Sequence, residues 1–86
     1  MSQRIAYVYF MDDKPQQIAE QIAAHIDYWK TAELSNYEGG PFSDHSGGLI
    51  LFDAEDLENA QQIVEQDPFQ KYQLLHCHRL KVWLPE

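Results

Sequence analysis

Two residues stand out for the chemistry they can carry. His25 lies in a segment, residues 16–30, whose apolar residues Ile18, Ile22, Ile26 and Trp29 recur at spacings of 4, 4 and 3, which is the repeat of one helix face. At about 100° per residue the imidazole falls inside that stripe. A core-facing imidazole near a Gly-Pro loop is placed to act as a general base or a ligand-binding group. The same placement suits a passive core histidine satisfied by one backbone carbonyl. Asp44 is the second candidate. It sits among Ser43, His45 and Ser46, with Gly40, Gly47 and Gly48 on either side. A carboxylate on such a loop can orient a histidine or take a proton itself, and the glycines allow close approach of a ligand to the backbone. A solvated turn built from ordinary turn residues is the competing reading.

The remaining reactive groups carry less. His76 and His78 are two apart on an alternating segment and so share a face, but no third ligand is evident to complete a zinc site, and no metal is assigned. Cys77 points to the opposite face and is read as structural or incidental. The acidic stretch 53–58 is explained as a helix start, where carboxylates suit the dipole. No phosphate-binding glycine fingerprint and no nucleophile elbow occur.

The elements that must position these residues follow from the pattern. Residues 4–11 are β-branched and aromatic and predict a strand. Asp12 or Asp13 as cap and Pro15 in the first turn open the helix of residues 16–30. A strand is expected over residues 31–38, ending at Gly39-Gly40-Pro41, and then the loop 40–48. Residues 48–52 read as a buried strand. Asp56 caps a second helix with Leu57, Ala60, Ile63 and Val64 on its inner face, and Asp67-Pro68 stops it. Residues 76–83 alternate as the last strand.

The order β-α-β-β-α-β predicts an α+β, ferredoxin-like protomer, a four-stranded antiparallel sheet with two helices on one face. The first strand is nevertheless apolar on both faces, with Ile5, Tyr7 and Tyr9 against Ala6, Val8 and Phe10, and so is the third, with Leu49 and Leu51 against Ile50 and Phe52. A half-solvated sheet alternates instead. A second copy packed sheet to sheet is the economical cover, so a homodimer is expected.

Composition bounds the function. Eighty-six residues make one domain, 1–86, and 44% hydrophobic content supplies a core. Fourteen acids against 6 Lys and Arg give a net charge of −8, which argues against nucleic acid or anionic lipid as partner. One cysteine cannot form an internal disulfide. The apolar run 5–11 is too short for a signal peptide or a membrane span. A cytoplasmic protein is expected.

Taken together the chain resembles the YCII-related (YciI-like) family, over nearly its whole length. The resemblance rests on His25-Ile26-Asp27-Tyr28-Trp29, on Gly40-Pro41-Phe42-Ser43-Asp44 followed by Gly47-Gly48, on a helix containing Ala60 that ends in Asp67-Pro68-Phe69, and on a last strand closing at Trp83. It implies a dimeric α+β barrel of ferredoxin-like protomers. It implies a His-Asp pair, by motif His25 and Asp44, with Phe42 and Ser43 of the same motif on the substrate side. Some relatives act as dehydrochlorinases of hydroquinone-type compounds. The chain departs from the family pattern at Tyr72-Gln73-Leu74 and in lacking a glycine between the first helix and the second strand. The expected function is a small-molecule enzyme of lyase or hydrolase type using no cofactor, with His25 moving a proton and Asp44 holding its tautomer. The alternative is a non-catalytic small-molecule-binding or accessory protein.

Overall fold

In a computed structural model, which describes residues 2–86, four strands and three helices follow in the order β1 (Gln3–Met11), α1 (Pro15–Thr31), β2 (Glu38–Pro41), β3 (Gly47–Ala54), α2 (Leu57–Glu65), α3 (Pro68–Lys71) and β4 (Leu75–Val82). Met1, the first residue of the expected domain, lies outside the described residues. The sheet is antiparallel with order β2-β3-β1-β4, the β-α-β-β-α-β arrangement expected. No helix among the described residues is long and apolar enough to cross a membrane.

Register sorts the two faces. Ile5 pairs with Phe52 and Tyr7 with Ile50, and these four rings and branched chains form the core with Trp29, Ala60, Val64 and Phe69 from the helices. Trp29 and Tyr7 are its largest fully buried side chains. On the opposite face Val8 pairs with Leu49 and Ala6 with Leu51. No helix covers them, and Ala6, Val8, Leu49 and Leu51 stay half-exposed with Phe10 at 38%.

Three local expectations need correction. Residues 31–38 do not form a strand: α1 runs to Thr31, and the following stretch turns through Glu33 and Asn36 in left-handed conformations (φ 54° each) before β2 begins at Glu38. Neither Asp12 nor Asp13 caps α1; Lys14 holds that position without a side-chain bond, and Pro15 opens the helix. Asp67-Pro68 ends α2 but also starts α3, with the Asp67 carboxylate accepting from the Phe69 N–H. Asp56 caps α2 as expected, accepting from the Asn59 N–H at 2.7 Å.

Two core phenols give the fold a pH signature. Burial pushes Tyr9 up to about 12, and Tyr7 is raised further by the same cause. Both hold their protons more tightly folded than unfolded. Their contribution is therefore full below the ordinary phenol value of 10.0 and declines as pH rises through the folded values. The urea midpoint should be flat below about pH 9.5 and fall above pH 10, and Tyr9→Phe should shrink that fall. A midpoint unchanged to pH 11 would contradict the assignment.

Candidate active site

The site is built from one turn of α1 and one tight corner of the chain. His25 and Trp29 are four apart on α1 and present their ring N–H groups to the same side. Facing them is Asp67, completely buried. Its position follows from local chemistry. A residue before proline is pushed to extended backbone, Asp67 adopts φ −63°, ψ 132°, and its side chain turns inward as the cap of α3.

Three donors converge on that carboxylate. His25 Nδ1 lies 2.8 Å from Oδ1 and 2.9 Å from Oδ2, Trp29 Nε1 donates to Oδ2 at 3.1 Å, and the Phe69 N–H donates to Oδ1 at 3.0 Å. Indole and peptide N–H groups only donate, so both carboxylate oxygens are acceptors. Nδ1 of His25 therefore carries a proton. The Tyr9 hydroxyl lies 3.4 Å from Nε2, placed to donate to it in the neutral ring. The imidazole is also stacked on the Phe69 ring, with centroids 4.0 Å apart and planes 8° from parallel. Every residue of Asp67-Pro68-Phe69 is thus used: the acceptor, the backbone constraint, and the stacking face with its N–H.

His25 is 8% exposed, and what it exposes is the wall of a cleft of about 690 Å³. The cleft opens between α1 and the β2–β3 side of the sheet, with Ile22 and Ile26 on one side and Gly39, Gly40 and Ile50 on the other. This explains why Ile22 and Ile26 remain 45% exposed although they belong to the apolar stripe of α1. Gly48 gives room to the site from below: a Cβ there would collide with the Tyr9 hydroxyl and come within 2.7 Å of the Gly40 carbonyl.

The other expected site residues lie elsewhere. Asp44 does not reach His25. It is fully exposed and accepts the Ser46 N–H at 3.0 Å, and hydrogen bonding from the Ser46 side chain, then from that N–H, holds its carboxyl below the usual carboxylate range. Phe42 packs on Phe10 on the other side of the sheet, with centroids 5.9 Å apart, and Ser43 is exposed; neither lines the cleft. His45, next to Asp44, does line it. His78 stands edge-on to Tyr7 at 5.9 Å, while His76 is exposed. No three His, Cys, Asp or Glu side chains are grouped to hold a metal among the described residues. Asp67 is the residue sequence reasoning missed. The available signal was the pair of N–H donors on the buried side of α1, which require a core acceptor.

A model of the YCII-related domain matches residues 5–83. The chain belongs to the YCII-related family. Solved structures place this YCII-related chain among ferredoxin-like α+β folds. It is similar, at 22% identity and TM-score 0.80 over 94% of this chain and 93% of the other, to the 5-chloro-2-hydroxyhydroquinone dehydrochlorinase TftG from Burkholderia phenoliruptrix AC1100, solved with 2,5-dihydroxybenzoquinone. It is also similar to a dimeric ferredoxin-like protein of unknown function from Thermobifida fusca YX, at 15% identity and TM-score 0.56, covering 99% and 92% of the two chains. A third similar structure is a NIPSNAP-like domain protein from Burkholderia xenovorans, at 17% identity and TM-score 0.52, covering 99% and 85%. No curated protein sequence matches.

Proposed function

We propose that this chain is a small-molecule enzyme of lyase or hydrolase type whose proton-transfer group is His25, oriented by Asp67. The observation that carries the reading is the 2.8 Å bond from His25 Nδ1 to a buried carboxylate on an imidazole that reaches an apolar cleft. The bond leaves Nε2 as the basic atom and stabilises the imidazolium formed when Nε2 accepts a proton. Tyr9, protonated because burial raises it to about 12, holds Nε2 until a substrate hydroxyl displaces it. Hydroxylated rings are the leading substrate class: the cleft is walled by Trp29, Phe69 and Tyr9, and the similar dehydrochlorinase was solved with a dihydroxyquinone. On such a ring Nε2 would take a hydroxyl proton and deliver it to the chlorine-bearing carbon, giving a keto tautomer with an sp3 CHCl centre, and loss of a second ring hydroxyl proton to Nε2 would then expel chloride with its bonding pair and leave a quinone. The reading needs no cofactor. Asp44 then serves the loop that carries it rather than the imidazole.

We also infer a homodimer formed through the uncovered sheet face, with the chain as one cytoplasmic domain; one of the similar structures is that of a dimeric ferredoxin-like protein. The half-exposed Val8, Leu49 and Leu51 support it.

The test is release of chloride from 5-chloro-2-hydroxyhydroquinone. Wild type should turn it over, and His25→Gln should lower kcat by about 10²–10⁴-fold while still binding. Binding with no turnover by wild type would favour the non-catalytic module.

A further inference from the structure

Four phenols pack in or against the core: Tyr7, Tyr9, Tyr28 and Tyr37. Three of their hydroxyls have protein partners. Tyr7 accepts from the Gln70 amide, Tyr9 lies against His25, and Tyr28 donates to the Ile63 carbonyl. The Tyr37 hydroxyl has none among the described residues. No sealed side-chain oxygen or nitrogen there lacks a partner, so this hydroxyl is open. Tyr37 lines the cleft beside Ile50 and Trp29, and a hydroxyl with spare hydrogen-bonding capacity in a mainly apolar wall is where a ligand's polar atom is held.

The position of that hydroxyl is fixed by the chain on both sides of it. The left-handed turn at Asn36 is pinned to the sheet: the Arg4 guanidinium donates to the Asn36 carbonyl, the Asn36 amide to the Asp53 carboxylate at 2.6 Å, and the Asp53 N–H to the Ser35 carbonyl at 3.1 Å. The Tyr37 ring then stacks on Trp29, with centroids 6.3 Å apart and planes 13° from parallel. Its hydroxyl rests over Gly39, 2.7 Å from where a Cβ would stand. The Tyr9 hydroxyl rests over Gly48 in the same way. Gly39 pairs with Ile50, and Gly48 is two residues from Ile50 on the same face of β3. The two glycines are therefore diagonal neighbours, on the order of 7–8 Å apart. Two phenol hydroxyls thus stand on one wall of the cleft, over points separated by a span that a substituted benzene ring fills.

We infer that Tyr37 is a second ligand anchor of the cleft, whose hydroxyl binds one oxygen of a ring that places another oxygen at Tyr9 and His25. The inference rests on the reading of this cleft as a small-molecule site and adds a selectivity, for rings with two oxygens over rings with one. Burial, and after it the Asp67 charge, raises both Tyr9 and Tyr37, so both hydroxyls keep their protons at neutral pH. A neutral hydroxyl donates to a keto oxygen and accepts from a ring hydroxyl. The same anchor therefore suits a quinol and a quinone. A ring with a single hydroxyl finds a donor and an acceptor together only at the Tyr9–His25 end, and leaves Tyr37 unpaired.

Hydroquinone and 4-methylphenol share a shape and differ by a hydroxyl in place of a methyl, so calorimetric titration of the full chain with both, without dissolved oxygen, tests the inference. The readout is the ratio of the two affinities. Tyr37→Phe keeps the ring on Trp29 and breaks no protein hydrogen bond, so its melting temperature should match wild type. It should lower the hydroquinone to 4-methylphenol ratio by about two- to tenfold, the usual worth of one hydrogen bond, through weaker hydroquinone binding. Tyr72→Phe removes an exposed hydroxyl outside the cleft and should leave the ratio as in wild type. A ratio unchanged by Tyr37→Phe, or lowered as much by Tyr72→Phe, would overturn the anchor alone. Binding of neither probe by wild type would overturn both it and the small-molecule reading. Absence of chloride release by wild type, with the Tyr37-dependent ratio intact, would remove only the chemistry assigned to His25.

Discussion

Asp67→Asn should cost this chain nearly all of its turnover and a large part of its stability. Every neighbour of the carboxylate is a donor: the His25 ring at 2.8 Å, the Trp29 indole at 3.1 Å and the Phe69 N–H at 3.0 Å. An amide offers one oxygen and replaces the other with an NH₂. Two N–H groups then face each other, or the His25 proton moves to Nε2 so that Nδ1 can accept. The second outcome removes the base from the cleft. The comparable change in serine proteases lowers kcat by about 10⁴-fold, and a loss of that order is expected here. An unsatisfied buried donor costs about 1–3 kcal/mol, against a total stability of roughly 5–10 kcal/mol for a domain of this size. Asp44→Asn keeps an oxygen for the Ser46 N–H and should leave kcat and the urea midpoint close to wild type. Chloride release and urea unfolding on both variants check this. A full-activity Asp67→Asn, or an Asp44→Asn that loses turnover with the fold intact, would return the pairing to Asp44.

The second large effect is expected on the opposite side of the sheet. Leu49 lies between Gly40 of β2 and Val8 of β1 in the register, in the uncovered apolar patch and away from the core. Leu49→Asp should therefore spare the protomer and separate the dimer. Each copy loses about 2 kcal/mol of burial, so the two together weaken association by about a thousandfold before any cost of burying charge. Sedimentation at micromolar concentration should give a dimer for wild type and a monomer for the variant. The wild-type melting temperature should also rise with protein concentration, and that of the variant should not. An unchanged sedimentation mass would remove the sheet-to-sheet dimer.

How much of this was legible in the sequence differs from element to element. β1, β3 and β4 announce themselves by β-branched and aromatic runs, and α1 and α2 by helical spacing. β2 does not, because its four residues, Glu38 to Pro41, are half glycine and carry no strand pattern of their own; they are strand because the edge of β3 offers partners. The polar stretch before it looks more like a strand and is not one. The site divides in the same way. His25 is readable because it interrupts an apolar helical stripe. Its partner is hidden, because Asp67 before Pro68 reads as a helix stop, and the inward turn of its side chain depends on a packing corner some forty residues away from His25. Asp44 is singled out by the family motif Gly40-Pro41-Phe42-Ser43-Asp44, while its company of serines and glycines makes the turn that those residue types offer on their own.

Strand order β2-β3-β1-β4 leaves β2 and β4 each paired on one side only. A free strand edge is a template on which another chain can add, and repeated addition builds fibres. Each edge is blunted by different means. β2 is four residues long, and its Pro41 has no N–H to offer. β4 is eight residues long but carries Arg79 and Lys81, both exposed and paired with Val8 and Ala6, so a strand added alongside that edge meets two like charges at the rim of the bare face. The sticky surface is the single bare face of the sheet, and one copy is enough to cover it. Self-association that uses a face and protects its edges terminates after one step, so a small acidic chain with this much exposed apolar surface can remain a closed pair instead of growing into a filament.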